Sequence, residues 1–105
     1  MSSKAATVTV LYPKNANSTF DLKYYLSTHM PMVGKAWTKH GLKNWSVTEL
    51  EGDSPYSIMA AMEFESSEAW GNAQKDEGTG AIMKDVENFS NEKPILINGN
   101  IVGSS

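Results

Sequence analysis

The order of two kinds of hydrophobic pattern along the chain constrains the fold more than any other feature. Four segments alternate between apolar and polar positions or are rich in β-branched residues, which is typical of strands. Two segments repeat apolar residues every three or four positions, which is typical of helices packed on one side. The order strand, helix, strand, strand, helix, strand predicts one α+β domain over residues 1–105, with a ferredoxin-like βαββαβ fold and an antiparallel sheet. The predicted strands are 6–12, 42–51, 56–65 and 93–102, and the helical segments begin near Ser18 and Ser66.

The two faces of the predicted sheet differ in composition. One face is almost wholly apolar, and we expect the two helical segments to cover it. The other face is mixed, but it carries Leu11, Met59, Ala61 and Leu96, which a fully solvated face seldom does. We therefore expect a second copy of the same sheet to pack there in a symmetric homodimer. The apolar face comprises Val8, Val10, Tyr12, Ile58, Ala60, Met62, Phe64, Ile95, Ile97 and Ile101.

Charge and residue types exclude several kinds of partner and chemistry. Nine lysines stand against twelve acidic residues and no arginine occurs, so we expect no nucleic-acid binding, which needs basic patches and often arginine forks. No cysteine is present, which excludes disulfides, thiolate metal sites and a cysteine nucleophile. We also expect no membrane span and a cytoplasmic location, because no long apolar run occurs and no signal region precedes the first strand.

The segment around His29 is the most informative for function. The helical pattern places His29 on the same face as Tyr25, Leu26 and Trp37, so its side chain is expected to point towards the sheet. Pro31 removes a backbone donor and predicts a kink, or a break and restart, close to His29. An inward histidine at such a break can line a polar pocket and exchange protons near neutral pH. It can equally hold the kink by a hydrogen bond to a freed backbone carbonyl.

A block of residues in this segment resembles the signature of a known family. Tyr24-Tyr25-Leu26 and His29-Met30-Pro31, preceded by Leu11-Tyr12-Pro13, are similar to the EthD-like family of the dimeric α+β barrel superfamily. The resemblance implies a ferredoxin-like fold, a homodimer formed sheet against sheet, and a pocket between each sheet and its own helices. It spans almost the whole chain, and its further residues are Gly41-Leu42, Ser54-Pro55-Tyr56, Asn88-Phe89-Ser90, Pro94 and Gly103.

The resemblance also indicates which residues can act in such a pocket. The histidine that matches His29 is the usual candidate functional residue of the family. Tyr12 ends the first strand on the helix-facing side, where its hydroxyl can donate a hydrogen bond to a developing oxyanion. The alternative is a tyrosine at the edge of the core with its hydroxyl in water. The residues that can line an apolar pocket, or simply fill the core, are Tyr25, Met32, Trp37, Met62, Phe64, Met83 and Phe89.

The resemblance implies a small homodimeric enzyme, similar to lyases or isomerases, that acts on an aromatic or polyketide-type molecule by metal-free acid–base chemistry. His29 is the expected general base or acid, and Tyr12 the expected hydrogen-bond donor. No cofactor or metal is expected, because His29 and His40 are not spaced as a metal-binding pair and no third ligand completes a set. Two alternatives remain open: a non-catalytic accessory protein of a degradative pathway that binds a small apolar or aromatic molecule, and a cofactor-free oxygenase.

Overall fold

The computed structural model describes residues 4–105, and its elements follow the predicted order. The strands are β1 Ala6–Pro13, β2 Leu42–Glu49, β3 Tyr56–Phe64 and β4 Ile95–Asn100, and the helices are α1 Leu22–Tyr24, α2 Met30–Trp37, α3 Ser67–Gln74 and α4 Thr79–Asp85. One sheet contains the four strands in the order β2-β3-β1-β4, and every neighbouring pair is antiparallel. The predicted α+β, ferredoxin-like fold class is therefore confirmed.

The core lies between this sheet and the helices. Alternate residues of the central strands β1 and β3 face the helices, and Val8 and Phe64 are completely buried among them. Opposite these strands, α2 contributes Trp37 and α3 contributes Trp70, whose rings pack against each other and against Phe64. The predicted helix-facing positions of β1 and β3 are thus confirmed.

The face that β4 presents to the helices differs from the prediction. The register of β4 against β1 places Leu96 opposite Val10, so Leu96 faces the helices, whereas Ile95 and Ile97 lie on the open face of the sheet. These two isoleucines are 41% and 55% exposed. β4 is an edge strand, and its helix-facing side beyond Leu96 carries exposed asparagines rather than core residues. The open face is consequently more apolar than predicted.

The first helical segment does not break at Pro31. Between α1 and α2 it passes through one π-helical turn, Tyr25–His29, in which the amide of Met30 bonds the carbonyl of Tyr25. A π turn is wider than an α turn and relieves the clash between a proline ring and the carbonyl four residues earlier. The extra residue also changes which side chains face inward, so that Leu26 is 43% exposed and Met30 is buried, contrary to the predicted face.

Gly41 ends this segment, as predicted, and starts the turn into β2. Its φ of +110° belongs to the left-handed region that favours glycine. A Cβ atom at Gly41 would also lie 3.0 Å from the Cβ of Ala69, so close packing against α3 requires glycine here. The second helical segment begins at Ser66, whose hydroxyl caps α3 by accepting a hydrogen bond from the Ala69 amide.

Three polar contacts hold the connection between α3 and α4 against the end of α2 and the turn that follows it. The indole of Trp37 donates to the hydroxyl of Thr79 at 2.9 Å. Beyond α2, His40 and Lys39 bind the Asp76 carboxylate at 2.9 and 3.1 Å. The hydrogen bonds from His40, from a backbone amide and from Lys39 lower the pKa of Asp76 to about 2, so the carboxylate stays ionised at neutral pH. The contact from Trp37 reaches the first residue of α4, Thr79, and so helps to fix the position of the last residue of that helix, Asp85.

Candidate active site

His29 and Asp85 form a buried pair at the centre of the candidate site. His29 ends the π turn and Asp85 ends α4, and they are 4% and 7% exposed. The Nδ1 atom of His29 lies 2.9 Å from the Oδ2 atom of Asp85. The imidazole therefore bonds a carboxylate from a distant helix, rather than the freed backbone carbonyl that the sequence offered as an alternative.

Two further donors hold the carboxylate of Asp85. The hydroxyl of Tyr24 donates to Oδ1 at 2.7 Å, and the side-chain amide of Asn88 donates to the same oxygen at 3.0 Å. Burial acts to raise the pKa of Asp85, but its three hydrogen-bond donors outweigh burial and hold that pKa below its ordinary value. Asp85 is thus an ionised acceptor at neutral pH. The hydrogen bond to Asp85 in turn raises the pKa of Tyr24.

Aromatic rings enclose the imidazole of His29. The ring of Tyr25 stacks on it with centroids 5.2 Å apart, and Phe89 meets it edge-on at 4.7 Å. Burial lowers the pKa of His29, and the contact with Asp85 only partly counters this effect. At neutral pH the imidazole is therefore neutral, with the proton on Nδ1 and the lone pair on Nε2. Within residues 4–105 Nε2 makes no hydrogen bond, although no side-chain nitrogen or oxygen there is both fully buried and unpaired.

Tyr12 belongs to the same aromatic cluster but does not adjoin the imidazole. Its ring makes edge-to-face contacts with Tyr25 and Phe89, each with centroids 5.7 Å apart. Burial, reinforced by the neighbouring Tyr25 phenol, raises the pKa of Tyr12 far above its ordinary value, so its hydroxyl remains a protonated donor. Burial also raises the pKa of Tyr25 to about 12. Tyr25 and Phe89 therefore bridge the two residues that the sequence singled out, His29 and Tyr12.

A small apolar cavity of about 30 Å³ lies between the sheet and the helices. It has room for about one water molecule, whereas small-molecule sites usually measure several hundred cubic ångströms. Of the predicted site residues, Tyr12, Tyr25, Trp37, Met62 and Met83 line this cavity. The remaining predicted residues lie elsewhere: Met32 is half-buried beside the core, Phe64 packs against two tryptophans, and Phe89 packs against His29.

His29 lies one side chain away from this cavity and one side chain away from the surface. Tyr25, which stacks on the imidazole, lines the cavity, but the imidazole itself does not. On the other hand Asn88 and Phe89, which contact the histidine–aspartate pair, line an open surface groove of about 560 Å³. A small molecule could thus approach Nε2 only after a short side-chain movement.

Sequence reasoning missed Asp85 and Asn88 as members of the site. A signal for Asp85 was present, since it follows Ile82 by three positions and precedes Phe89 by four, which places a carboxylate on an apolar helical face. A buried carboxylate requires a hydrogen-bond or charge partner, so this pattern predicts that Asp85 is paired but does not identify the paired residue. Tyr24 and Asn88 both occur in the blocks that resemble the EthD-like family, although neither was assigned a role there.

The described residues contain no group of three or more histidine and acidic side chains that could hold a metal ion. Within the same residues, no helix is long and apolar enough to cross a membrane.

Comparisons of the sequence find no match, whereas comparisons of the structure find similar proteins. No protein-family model matches the sequence, and no curated protein matches it. By contrast, the structure is similar to an EthD-like protein from Ralstonia eutropha JMP134, with a TM-score of 0.85 and 25% identity over 98% of this chain and 96% of the other. It is also similar to an ethyl tert-butyl ether D (EthD) family protein from Bacillus halodurans C-125, with a TM-score of 0.73 and 23% identity over 93% and 99% of the two chains.

A third similar structure is an enzyme. The hydroxynitrile lyase from Passiflora edulis matches with a TM-score of 0.69 and 12% identity over 97% of each chain, which shows a shared fold. The likeness to the two EthD proteins extends over nearly the whole length of all three chains. It confirms that this protein resembles the EthD-like family of the dimeric α+β barrel superfamily.

Proposed function

We propose that this protein is a small lyase- or isomerase-like enzyme that moves a proton on an aromatic or polyketide-type substrate without a metal. His29 is the general base and then the general acid, and Asp85 positions it. The observation that carries the proposal is the buried hydrogen bond of 2.9 Å between Nδ1 of His29 and Oδ2 of Asp85. Histidine held by a carboxylate in this way presents Nε2 as a base of fixed orientation.

The chemistry follows from the charge states of the pair. A neutral imidazole with a lowered pKa can take a proton at neutral pH, and ionised Asp85 stabilises the imidazolium that results. For a β-hydroxy ketone, Nε2 removes a proton from the carbon beside the carbonyl. The electrons of the broken C–H bond form a double bond, and the hydroxyl group leaves with the proton that the imidazolium returns. One molecule of water is released, and no oxidant or reductant is needed.

Tyr12 is proposed to stabilise the charge that develops on the substrate carbonyl. Tyr12 lines the apolar cavity and its hydroxyl stays protonated, so it can donate a hydrogen bond to an oxyanion. A substrate that spans from Tyr12 to Nε2 of His29 must displace the Tyr25 ring, which stacks on the imidazole. The proposed reaction therefore includes a movement of Tyr25 when the substrate binds.

A second candidate function is the binding of a small molecule without catalysis. It is favoured by one observation: the imidazole of His29 does not line the cavity, which is bounded mainly by apolar side chains. An accessory protein would need only the cavity and its phenols. In that case the pair of His29 and Asp85 would serve to hold α4 against the first helical segment.

The experiment that separates these functions measures proton transfer on aromatic β-hydroxy ketones. Nuclear magnetic resonance in D2O follows both exchange of the α-hydrogen and loss of water. We expect H29N to lower turnover by roughly two to four orders of magnitude, and D85N to lower it by about a hundredfold or more. Because the two residues act as a unit, the double variant should be no slower than H29N alone.

The matched control is H40N, which removes a histidine–aspartate contact outside the site. It should leave turnover at the parental level. Equal turnover in the parent and H29N would contradict the proposal. Substrate binding without exchange in the parent would favour the accessory protein, and consumption of dissolved dioxygen would indicate an oxygenase.

A further inference from the structure

The cavity between the sheet and the helices shares a wall with a second, larger space. A surface groove of about 530 Å³ runs between the end of α4 and the start of β4. Four apolar residues line both the groove and the cavity: Met83, Val86, Pro94 and Leu96. These side chains therefore lie between the buried space and the groove.

This wall can open without loss of backbone hydrogen bonds. In the described part of the chain, no backbone hydrogen bond joins residues 79–90 to β4, and β4 pairs only with β1. Met83 is 49% exposed, and its unbranched side chain has three rotatable bonds. Exposed side chains of this kind change rotamer on the picosecond to nanosecond scale, so Met83 is the mobile part of the wall.

We propose that the cavity and the groove form one binding site for a neutral aromatic carbonyl compound, and that Met83 is its gate. The inference rests on the proposed function, because it identifies how the substrate of that enzyme reaches Tyr12 and Tyr25. With Met83 turned outward, the cavity and the groove together have the size of an ordinary small-molecule site. The closed cavity alone, at about 30 Å³, is too small.

The lining of the two spaces defines the chemistry of the ligand. Among the residues that the structure describes, no charged side chain lines the cavity, so a buried charge on the ligand would be unpaired and costly. The rings of Tyr25 and Trp37 favour an aromatic group, and the hydroxyl of Tyr12 supplies a hydrogen bond for a carbonyl oxygen. The groove, in contrast, is lined by Lys84 and Glu87 among others, so a polar end of the ligand would remain there in contact with water.

The test uses 6-propionyl-2-dimethylaminonaphthalene, a neutral aromatic ketone whose fluorescence shifts to the blue in apolar surroundings. Stopped-flow mixing with the protein measures the association rate of this ketone. We expect a blue shift on binding, and about tenfold faster association in M83A because the gate has been removed. M83F, with a stiffer side chain at the same exposed position, should slow association. V33I adds one methylene group to a buried side chain that lines the cavity but not the groove, and it should weaken the final affinity.

The matched control is L26A, which shortens an exposed apolar side chain that lines neither space and should leave the association rate unchanged. Melting temperatures verify that each variant is folded. An association rate that is equal in the parent, M83A and M83F would overturn the gate. Binding that is indifferent to V33I would show that the probe occupies only the groove, and the absence of a blue shift even in M83A would rule out the site. None of these readouts depends on turnover, so their failure would leave the proposed role of His29 to its own test.

Discussion

At the scale of single residues, the burial of His29 makes the stability of the fold depend on pH. The folded-state pKa of His29 lies below the ordinary value of 6.5, so between these two values the unfolded chain binds more protons than the folded one. Stability must therefore fall as the pH drops through 6.5 towards the folded-state pKa. Asp85, whose pKa is also lowered, acts in the same direction but at more acidic pH.

We expect the melting temperature of the parent to fall between pH 7.5 and pH 5.5, and the fall to be smaller in H29N. Each kcal/mol moves the melting temperature of a domain of this size by roughly 4–8 °C, so the difference is measurable by circular dichroism. The two proteins are compared by the change in melting temperature with pH, because H29N can differ from the parent in absolute stability. Identical pH dependence in the two proteins would mean that His29 is not titrating as the structure implies.

The inward orientation of His29 could be predicted from the sequence, but its partner could not. Helical periodicity reports which side of a helix is apolar, and that was sufficient to point the imidazole to the interior. Asp85 reaches it from another helix 56 positions away, and their contact depends on how α4 lies against the first helical segment. That placement is set by contacts such as the one from Trp37 to Thr79, which no local pattern encodes.

At the scale of elements, the π turn links Pro31 to the position of His29. A proline inside an α-helix clashes with the carbonyl four residues earlier, and here one extra residue in the turn accommodates the ring. The same extra residue sets the direction in which the His29 side chain points. A continuous α-helix would rotate Tyr25 and His29 relative to each other and disturb their stacking.

We expect P31A to be at least as stable as the parent, since alanine favours a regular helix, but to be a poorer catalyst. Relaxation of the π turn would misplace the imidazole, and a displacement of about 1 Å can cost about a hundredfold in rate. The measurement pairs melting temperature with turnover on the β-hydroxy ketone. P55A, the same substitution at an exposed proline in the turn before β3, should retain full turnover. Unchanged turnover in P31A would show that Pro31 and the π turn are not needed for catalysis.

The orientation of β4 illustrates a limit of alternation patterns. Alternation assigns residues to two faces but does not say which face meets the core. The apolar character of Ile95 and Ile97 therefore predicts, wrongly, that they point towards the helices. On an edge strand the helices cover only part of one face, and in β4 that part is Leu96. The isoleucines instead join Leu11, Met59 and Ala61 on the open face. Ile95 and Ile97 remain 41% and 55% exposed there in the single chain.

At the scale of the whole molecule, we propose that this open face is the interface of a symmetric dimer. It spans three adjacent strands, with outward apolar side chains on β4, β1 and β3. The helices already cover the opposite face, so a sheet with both faces covered requires a partner on this side. A second copy supplies a matching apolar face without any further chain, and twofold pairing of identical surfaces is the commonest oligomeric arrangement.

Adjacent residues of β4 allow a matched test of this interface, because Ile97 and Asn98 point to opposite sides of the sheet and both are exposed in the single chain. In I97K an unpaired charge would be buried between the two sheets, so we expect the dimer to dissociate at micromolar concentration. N98K introduces the same charge on the side away from the interface and should leave the dimer intact. Analytical ultracentrifugation of the three proteins measures the outcome. A parent protein that sediments as a monomer at micromolar concentration would contradict the proposal, and dissociation of N98K as well as I97K would attribute the effect to charge rather than to the open face.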